Sequence, residues 1–136
     1  MHQEVLTIRS AGRGLFDLTS EVRSVVRASG VEVGIAHLFV LHTSASLTVQ
    51  ENADPAVRAD LDAWFSREVR DGDPLFTHVE EGPDDMSAHV RAALTDTSLA
   101  LPVRDGRLFL GTWQAVYLFE HRTAPHTRRV VVTVQG

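Results

Sequence analysis

The sequence predicts a single α+β domain that spans residues 1–136. Strand-like segments are gathered at both ends of the chain, and helical spacing of apolar residues dominates the middle. The chain has 136 residues, of which 43% are hydrophobic, so it can bury one core and has no room for a second core of useful size. Because the strands do not alternate regularly with helices, we expect six or seven strands in an α+β arrangement rather than a parallel α/β sheet.

The first strands are predicted from alternation and from an apolar run. Apolar and polar residues alternate from Val5 to Arg9, and Gly12 and Gly14 interrupt the pattern before a second apolar stretch. Residues Val33 to Leu41 are almost continuously apolar, which is typical of a central strand. A further short strand should lead to Glu51.

Capping residues and helical spacing indicate two or three helices. The first begins at Thr19 or Ser20 and ends at Gly30. The second begins at Asp54-Pro55, an N-cap followed by proline at the first helical position. The third begins within Asp84-Asp85, after a loop that contains glycine and proline. The residues expected to face the core are Val22, Val25 and Val26 in the first helix, Val57, Leu61, Trp64, Phe65 and Val69 in the second, and Met86, Val90, Ala93 and Leu94 in the third.

The last third of the chain is predicted to be β-structure. Four segments are strand-like, namely Thr97 to Val103, Arg107 to Leu110, Ala115 to Glu120 and Arg128 to Val134. Asp105-Gly106 between the first two is typical of a two-residue hairpin turn.

Composition excludes several classes of function. The net charge of -5 argues against a general nucleic-acid-binding protein, which needs a concentrated positive surface. No apolar run approaches the roughly 20 residues that a membrane span needs, so we expect a cytoplasmic protein with no membrane contact. The chain has no cysteine, which leaves His, Asp and Glu as the metal ligands available. It has no lysine either, which excludes Schiff-base chemistry and a Walker A loop.

Several histidines could carry chemistry. Asp85 and His89 are four residues apart in the predicted helix and therefore lie on one face, where they could bind a metal or simply hold each other. His78 lies in the loop that leads to this helix, and His42 follows the central strand. We expect His42, His78 and His89 to converge on one divalent metal. Ser44 is not expected to be a nucleophile, because it lacks the G-x-S-x-G turn.

Other polar residues allow two interpretations each. Glu51 and Asn52 could face the same cleft or serve only the helix cap. The segment Gly111 to Gln114 breaks the strand alternation, either as a bulge with Trp113 in the core or as a site where Thr112 and Gln114 donate hydrogen bonds. The pair His121-Arg122 could contact a phosphate or simply end its strand.

Three separated blocks carry a resemblance to a known family. They are HTSASLT followed by ENADP (residues 42–48 and 51–55), EGPDDMSAH (residues 81–89) and SLALPVRDGRLFLGTWQ (residues 98–114). Together they resemble the YjbQ-like uncharacterised protein family, and the resemblance covers about two thirds of the chain. The family is associated with a weak thiamine-phosphate synthase (transferase) activity, in which a pyrimidine diphosphate and a thiazole phosphate are joined with loss of pyrophosphate.

The resemblance implies a mixed β-sandwich with flanking helices that assembles as a homotrimer with grooves between subunits. It implies an enzyme-like domain with a His-rich, metal-binding inter-subunit pocket, zinc being the favoured ion, a small phosphorylated molecule as ligand, and at most weak thiamine-phosphate synthase activity. The alternative is a non-catalytic module that binds a phosphorylated metabolite or a partner protein. The expected catalytic residues are His42, Glu51, Asn52, Asp85 and Gln114; the expected ligand contacts are Thr112, His121 and Arg122; and the expected metal ligands are His42, His78 and His89.

Overall fold

The computed structural model describes residues 1–136 as two antiparallel β-sheets with three helices. The predicted α+β class is confirmed. The elements in chain order are β1 (His2–Ser10), β2 (Gly14–Asp17), α1 (Thr19–Ser29), β3 (Val33–Val40), β4 (Ala45–Glu51), α2 (Pro55–Glu68), α3 (Asp85–Leu94), β5 (Ser98–Arg104), β6 (Arg107–Leu108), β7 (Gln114–Glu120) and β8 (His126–Gln135).

The two sheets enclose the main core. One sheet has the strand order β1-β8-β3-β5-β6, and the other has the order β2-β7-β4. Core residues come from both sheets and from the inner face of α1, including Leu38 and Val132 of the first sheet, Leu118 of the second and Val22 of the helix. The two ends of the chain pair with each other, since β1 lies antiparallel to β8. Burial between the sheets is the largest favourable contribution to this fold.

Local signals fixed several boundaries as expected. The turn at Asp105 and Gly106 has positive φ at both residues, 52° and 69°, as a tight hairpin requires. Helix α1 ends at Gly30, whose φ of 69° is left-handed. The Asp54 side chain caps α2 by accepting a hydrogen bond from the backbone N–H of Ala56 at 2.9 Å.

The predicted inner face of α3 is wrong, and that of α2 is right except at Trp64. Helix α2 lies outside the main core, where Phe65 and the C-cap residue Val69 form a small cluster with Phe119. Val57 and Leu61 on the same stripe are partly buried, while Trp64 is 46% exposed. Helix α3 buries Asp85, Ser87, Ala88 and Arg91, because charged and polar partners face it. Its residues Ala93 and Leu94 are exposed instead.

Two further findings concern exposure and length. Trp113 is 62% exposed in the turn before β7, so it does not fill the core as a buried bulge would. None of the three helices combines the length and the apolar character that a membrane span requires.

Candidate functional site

Two consecutive aspartates position the start of α3. Asp84 accepts hydrogen bonds from the backbone N–H and the hydroxyl of Thr123, at 2.9 and 3.0 Å, and from Nε of Arg122 at 3.1 Å. Burial raises the pKa of Asp84, but these donors outweigh it and hold the pKa well below its usual range. The hydrogen bond to Asp84 in turn raises the pKa of Arg122, because it stabilises the charged guanidinium. The loop and the helix start are therefore fixed by charge-assisted hydrogen bonds.

Asp85 joins two histidines in a compact group. His78 Nε2 lies 2.7 Å from Asp85 Oδ2, and His89 Nε2 lies 3.2 Å from the same oxygen. One ligand atom from each of the three residues lies within 4.8 Å of the others. The carboxylate is buried, whereas the imidazoles of His78 and His89 are 48% and 30% exposed. We call these three residues the His-Asp cluster; it is open to solvent on the imidazole side.

The tautomer of His89 makes this cluster chemically distinctive. His89 Nδ1 lies 3.0 Å from the backbone carbonyl of Thr43, and a carbonyl only accepts, so Nδ1 carries a hydrogen. In the neutral ring, Nε2 then bears a lone pair that points at the carboxylate of Asp85. Two acceptors facing each other repel, unless the ring is protonated or a cation lies between them.

This donor set fits a divalent cation. Two imidazoles and one carboxylate are common ligands of zinc and other transition metals, bound at about 2.0–2.2 Å with further positions left for water or substrate. The ligands also have oriented outer partners, because Thr43 holds the ring of His89 and Arg122 Nη1 donates to Asp85 Oδ1 at 2.8 Å. Burial raises the pKa of Asp85, but the hydrogen bond from His78 and the charge of Arg122 hold it below its ordinary value. The carboxylate is thus ionised, as a metal ligand must be.

An open pocket of about 810 Å³ adjoins the cluster. It lies between the end of β3, the turn into β4 and α3, and His89 belongs to both the cluster and the pocket wall. We call it the main pocket. Its walls combine apolar residues with imidazole, hydroxyl and guanidinium groups, and its lining includes Phe39, Leu41, His42, Thr43, Ser44, His89, Ala92 and Arg128.

His42 lies in the main pocket but does not belong to the His-Asp cluster. The structure thus brings together two of the three predicted metal ligands, His78 and His89, and adds Asp85. The Nε2 atom of His42 accepts the backbone N–H of Arg129 at 2.8 Å, so this nitrogen is already occupied. Burial and the charge of Arg128 lower the pKa of His42, which keeps the ring neutral at pH 7.

The arginine of the main pocket is Arg128, which is 4% exposed. Its Nε and Nη2 atoms donate to the carboxylate of Glu120 at 2.8 and 2.5 Å, and Nη2 also donates to the hydroxyl of Ser44. Glu120 is fully buried and also accepts the hydroxyl of Ser10. The guanidinium is therefore rigidly oriented, and its Nη1 makes no hydrogen bond within the protein.

The two predicted ligand contacts next to Glu120 are differently placed. His121 is fully buried, with Nε2 at 2.8 Å from the hydroxyl of Ser46 and its ring against Phe119. Arg122 donates to Asp84, to Asp85 and to the carbonyl of Glu81. In this arrangement neither side chain reaches the main pocket.

The remaining predicted site residues form a second polar group. Glu51 and Gln114 are partners in the β4-β7 register, and the backbone N–H of Asn52 donates to the carbonyl of Trp113. Gln114 Oε1 accepts the backbone N–H of Gly111, and Thr112 is exposed beside it. Because β4 has seven residues, its two ends lie about 20 Å apart, and this second polar group lies that far from the turn that lines the main pocket.

Sequence reasoning missed several residues of the site. The carbonyl of Thr43 and the guanidinium of Arg128 carry no local pattern that marks them, since their partners are distant in the chain. Asp84 had a signal, because two adjacent aspartates at a helix start cannot both serve as its cap.

The sequence of the chain matches one protein family along almost its whole length. The profile of the family described as "UPF0047 protein YjbQ-like" matches residues 4–136. The UPF0047 protein sll1880 of Synechocystis is 50% identical over 135 residues, covering 99% of this chain and 92% of the relative. The UPF0047 protein YjbQ of Salmonella typhimurium is 44% identical over 138 residues, covering 99% of this chain and 98% of the relative.

Solved structures of similar proteins share the fold of this chain. The conserved hypothetical protein TT1486 from Thermus thermophilus superposes with a TM-score of 0.86 at 34% identity, covering 97% of this chain and 99% of that one. The hypothetical protein APE1520 from Aeropyrum pernix gives a TM-score of 0.88 at 27% identity, covering 100% of this chain and 99% of that one. With its sequence matched almost end to end and its two sheets shared with these structures, the chain belongs to the UPF0047 family of YjbQ-like proteins.

Proposed function

We propose that the protein is an enzyme-like domain in which His78, Asp85 and His89 bind a divalent cation, zinc being favoured, beside a pocket for a small phosphorylated molecule. The observation that carries this proposal is the contact between His89 Nε2 and Asp85 Oδ2, at 3.2 Å. With Nδ1 committed to Thr43, the neutral ring of His89 presents the lone pair of Nε2 to the carboxylate of Asp85, and both groups would serve as ligands of a cation.

The main pocket supplies groups that suit a phosphate ester. Arg128 offers the donor Nη1 from a position fixed by Glu120, and Thr43 and Ser44 add hydroxyl groups to the wall. Arg122, expected from the sequence to clamp the anion, is instead engaged by Asp84 and Asp85. We therefore assign the role of the anion clamp to Arg128.

These groups match the demands of weak thiamine-phosphate synthesis, in which pyrophosphate leaves a pyrimidine diphosphate. Such a reaction needs positive charge beside the leaving group, and a bound divalent cation supplies it. Arg128 would hold the phosphate oxygens, and neutral His42, whose Nε2 accepts the N–H of Arg129, would offer Nδ1–H as a hydrogen-bond donor to the ligand. The activity is expected to be low, because the chain has no acidic magnesium motif of the usual kind.

Assembly as a homotrimer would complete the site. Val5, Val131 and Phe39 are adjacent in register on the outer face of the five-stranded sheet, and Val5 and Phe39 are 44% and 43% exposed. Phe39 also lines the main pocket, so this apolar face continues into the site. A neighbouring subunit seated there could bring its own Glu51 group to the pocket, which one chain alone does not do.

Metal analysis of untagged protein tests the proposal. We expect one zinc per chain in the wild type, and loss of zinc in His78→Ala and in His89→Ala. His2→Ala is the matched control, because the His2 side chain is 33% exposed, close to the 30% of His89, and lies outside the cluster. Pyrophosphate release from the pyrimidine diphosphate and thiazole phosphate should then decline together with the zinc content.

The rival is a non-catalytic module that binds a phosphorylated metabolite or a partner protein. It is favoured by the extent to which Asp85 is already satisfied, since both Arg122 and His78 donate to it. In that case His89→Ala would lower the melting temperature with the metal content unchanged from that of the wild type. That pair of results would overturn the metal proposal.

A further inference from the structure

A second concave site, outside the main pocket, is lined by three arginines. Arg23 and Arg27 lie one turn apart on α1, and Arg107 reaches the same space from β6. The cavity has a volume of about 400 Å³, and the buried side chain of Leu108 completes its lining. We call it the arginine groove; it shares no residue with the His-Asp cluster or the main pocket.

The arginines of this groove have no counter-ion in the protein. Five other arginines form salt bridges with carboxylates, among them Arg13 with Asp71 and Arg128 with Glu120. Arg23, Arg27 and Arg107 take part in no salt bridge and no side-chain hydrogen bond, and all three are exposed. Like charges four residues apart on a helix repel each other, so this placement costs stability. The net charge of the chain is -5, so the concentration of positive charge here is local.

We propose that the arginine groove binds a diphosphate group of a small molecule. Each guanidinium presents a planar fork of N–H donors that matches two phosphate oxygens. Three unpaired forks around one cavity suit an anion that carries several charges and oxygens on adjacent phosphorus atoms. A diphosphate offers this, and the groove walls supply both polar and apolar surface for the group attached to it.

Calorimetric titration with inorganic pyrophosphate in the presence of EDTA tests this proposal. Because EDTA removes divalent cations, pyrophosphate cannot bind through a metal held by the His-Asp cluster. The test variant is Arg23→Gln/Arg107→Gln. The control is Arg9→Gln/Arg70→Gln, which removes the same two charges from exposed positions outside the groove. We expect the wild type and the control to bind equally, and the test variant to bind at least tenfold more weakly.

The outcomes separate this site from general electrostatics and from the metal site. Equal weakening in both double variants would show that net charge alone attracts the anion, and it would overturn the proposal. Absence of pyrophosphate binding to the wild type would do the same, as would undiminished binding by the test variant, which would show that the anion binds outside the groove. Vesicles of anionic phospholipid provide the last arm. If Arg23 and Arg107 were needed for vesicle binding and not for pyrophosphate binding, the groove would bind a lipid surface. The proposal that it binds a diphosphate group would then be overturned.

Discussion

Arg122 and Asp85 are joined by one hydrogen bond of 2.8 Å, from Nη1 to Oδ1, and the other oxygen of Asp85 faces the two imidazoles. The same guanidinium binds Asp84 and the carbonyl of Glu81. One arginine near the end of the chain thus holds the loop before α3 and also orients the carboxylate of the His-Asp cluster.

Arg122→Gln should destabilise the protein strongly. It leaves two aspartates, both under 10% exposed, without their counter-ion, and we expect the free energy of unfolding to fall by about 2–4 kcal/mol. Arg67→Gln is the control, because its ion pair with Glu68 is solvent-exposed and should contribute less than about 1 kcal/mol. Urea denaturation measures both. Similar losses in the two variants would contradict the role of Arg122.

His121 should make the protein sensitive to mild acid. Burial, aided by the charge of Arg91, lowers the pKa of His121 to about 3. The unfolded chain binds a proton at this residue below about pH 6.5, and the folded protein does not, so stability present at neutral pH is lost as the pH falls. The loss amounts to at most about 1.4 kcal/mol per pH unit for one group.

The variant His121→Gln should flatten this dependence. Between pH 6.5 and 5 carboxylates contribute little, since they titrate near pH 4 and below. In EDTA, the stability of His121→Gln should decline less steeply over this interval than that of the wild type. The control is His37→Gln, which changes an exposed imidazole. Parallel slopes for all three proteins would show that His121 is protonated in the folded state.

Gly34 should be required for close approach of two strand ends. A Cβ atom added there would overlap the backbone carbonyl of Gln135, which cannot move aside as a side chain can. We expect Gly34→Ala to cost about 2–4 kcal/mol in thermal unfolding, as overpacking against rigid groups does. At Gly111 a Cβ would meet only the flexible end of Gln114, at 3.2 Å, so Gly111→Ala should change stability far less. Equal costs would show that the strand ends can separate freely.

Phe39→Asp should dissociate the proposed trimer. The substitution places a charge in the apolar face formed with Val5 and Val131, where burial against another subunit would be costly. Light scattering of the wild type should give three times the chain mass of 15.0 kDa, and the variant should give a single chain. Leu75→Asp, at an 86% exposed loop position, should leave the mass unchanged. A monomeric wild type would remove the inter-subunit site.

Much of the fold could be predicted from local signals. The cap at Asp54, the end of α1 at Gly30 and the hairpin at Asp105 each depend on conformations that neighbouring residues alone impose. The face that α3 buries could not be predicted. Apolar spacing indicated Met86 and Leu94, but the partners of α3 are Arg122 and Asp71, which are remote in sequence and favour its polar side.

The candidate site, like the fold, has one part that local sequence predicts and one part that it does not. The spacing of Asp85 and His89 was enough to predict that they share a helix face, and His78 joined them because a short loop limits its reach. The position of His42 depends on the pairing of its ring with the Arg129 backbone, a contact across 87 residues. No local pattern encodes such a contact, and this is why we expected His42 beside His78 and His89, whereas the structure groups these two with Asp85.

The polar character of the buried face of α3 also affects how readily this helix detaches from the rest of the molecule. A helix anchored by apolar side chains exposes hydrophobic surface when it detaches, whereas Asp85 and His89 tie α3 to the rest of the molecule by hydrogen bonds with Arg122 and with the carbonyl of Thr43. Residues 71–94 should therefore separate from the two sheets as a unit, with faster amide hydrogen exchange than β3 or β8. High salt and acid should speed this exchange, and a cation bound by His78 and His89 should slow it, so that ligand occupancy can be read from backbone protection.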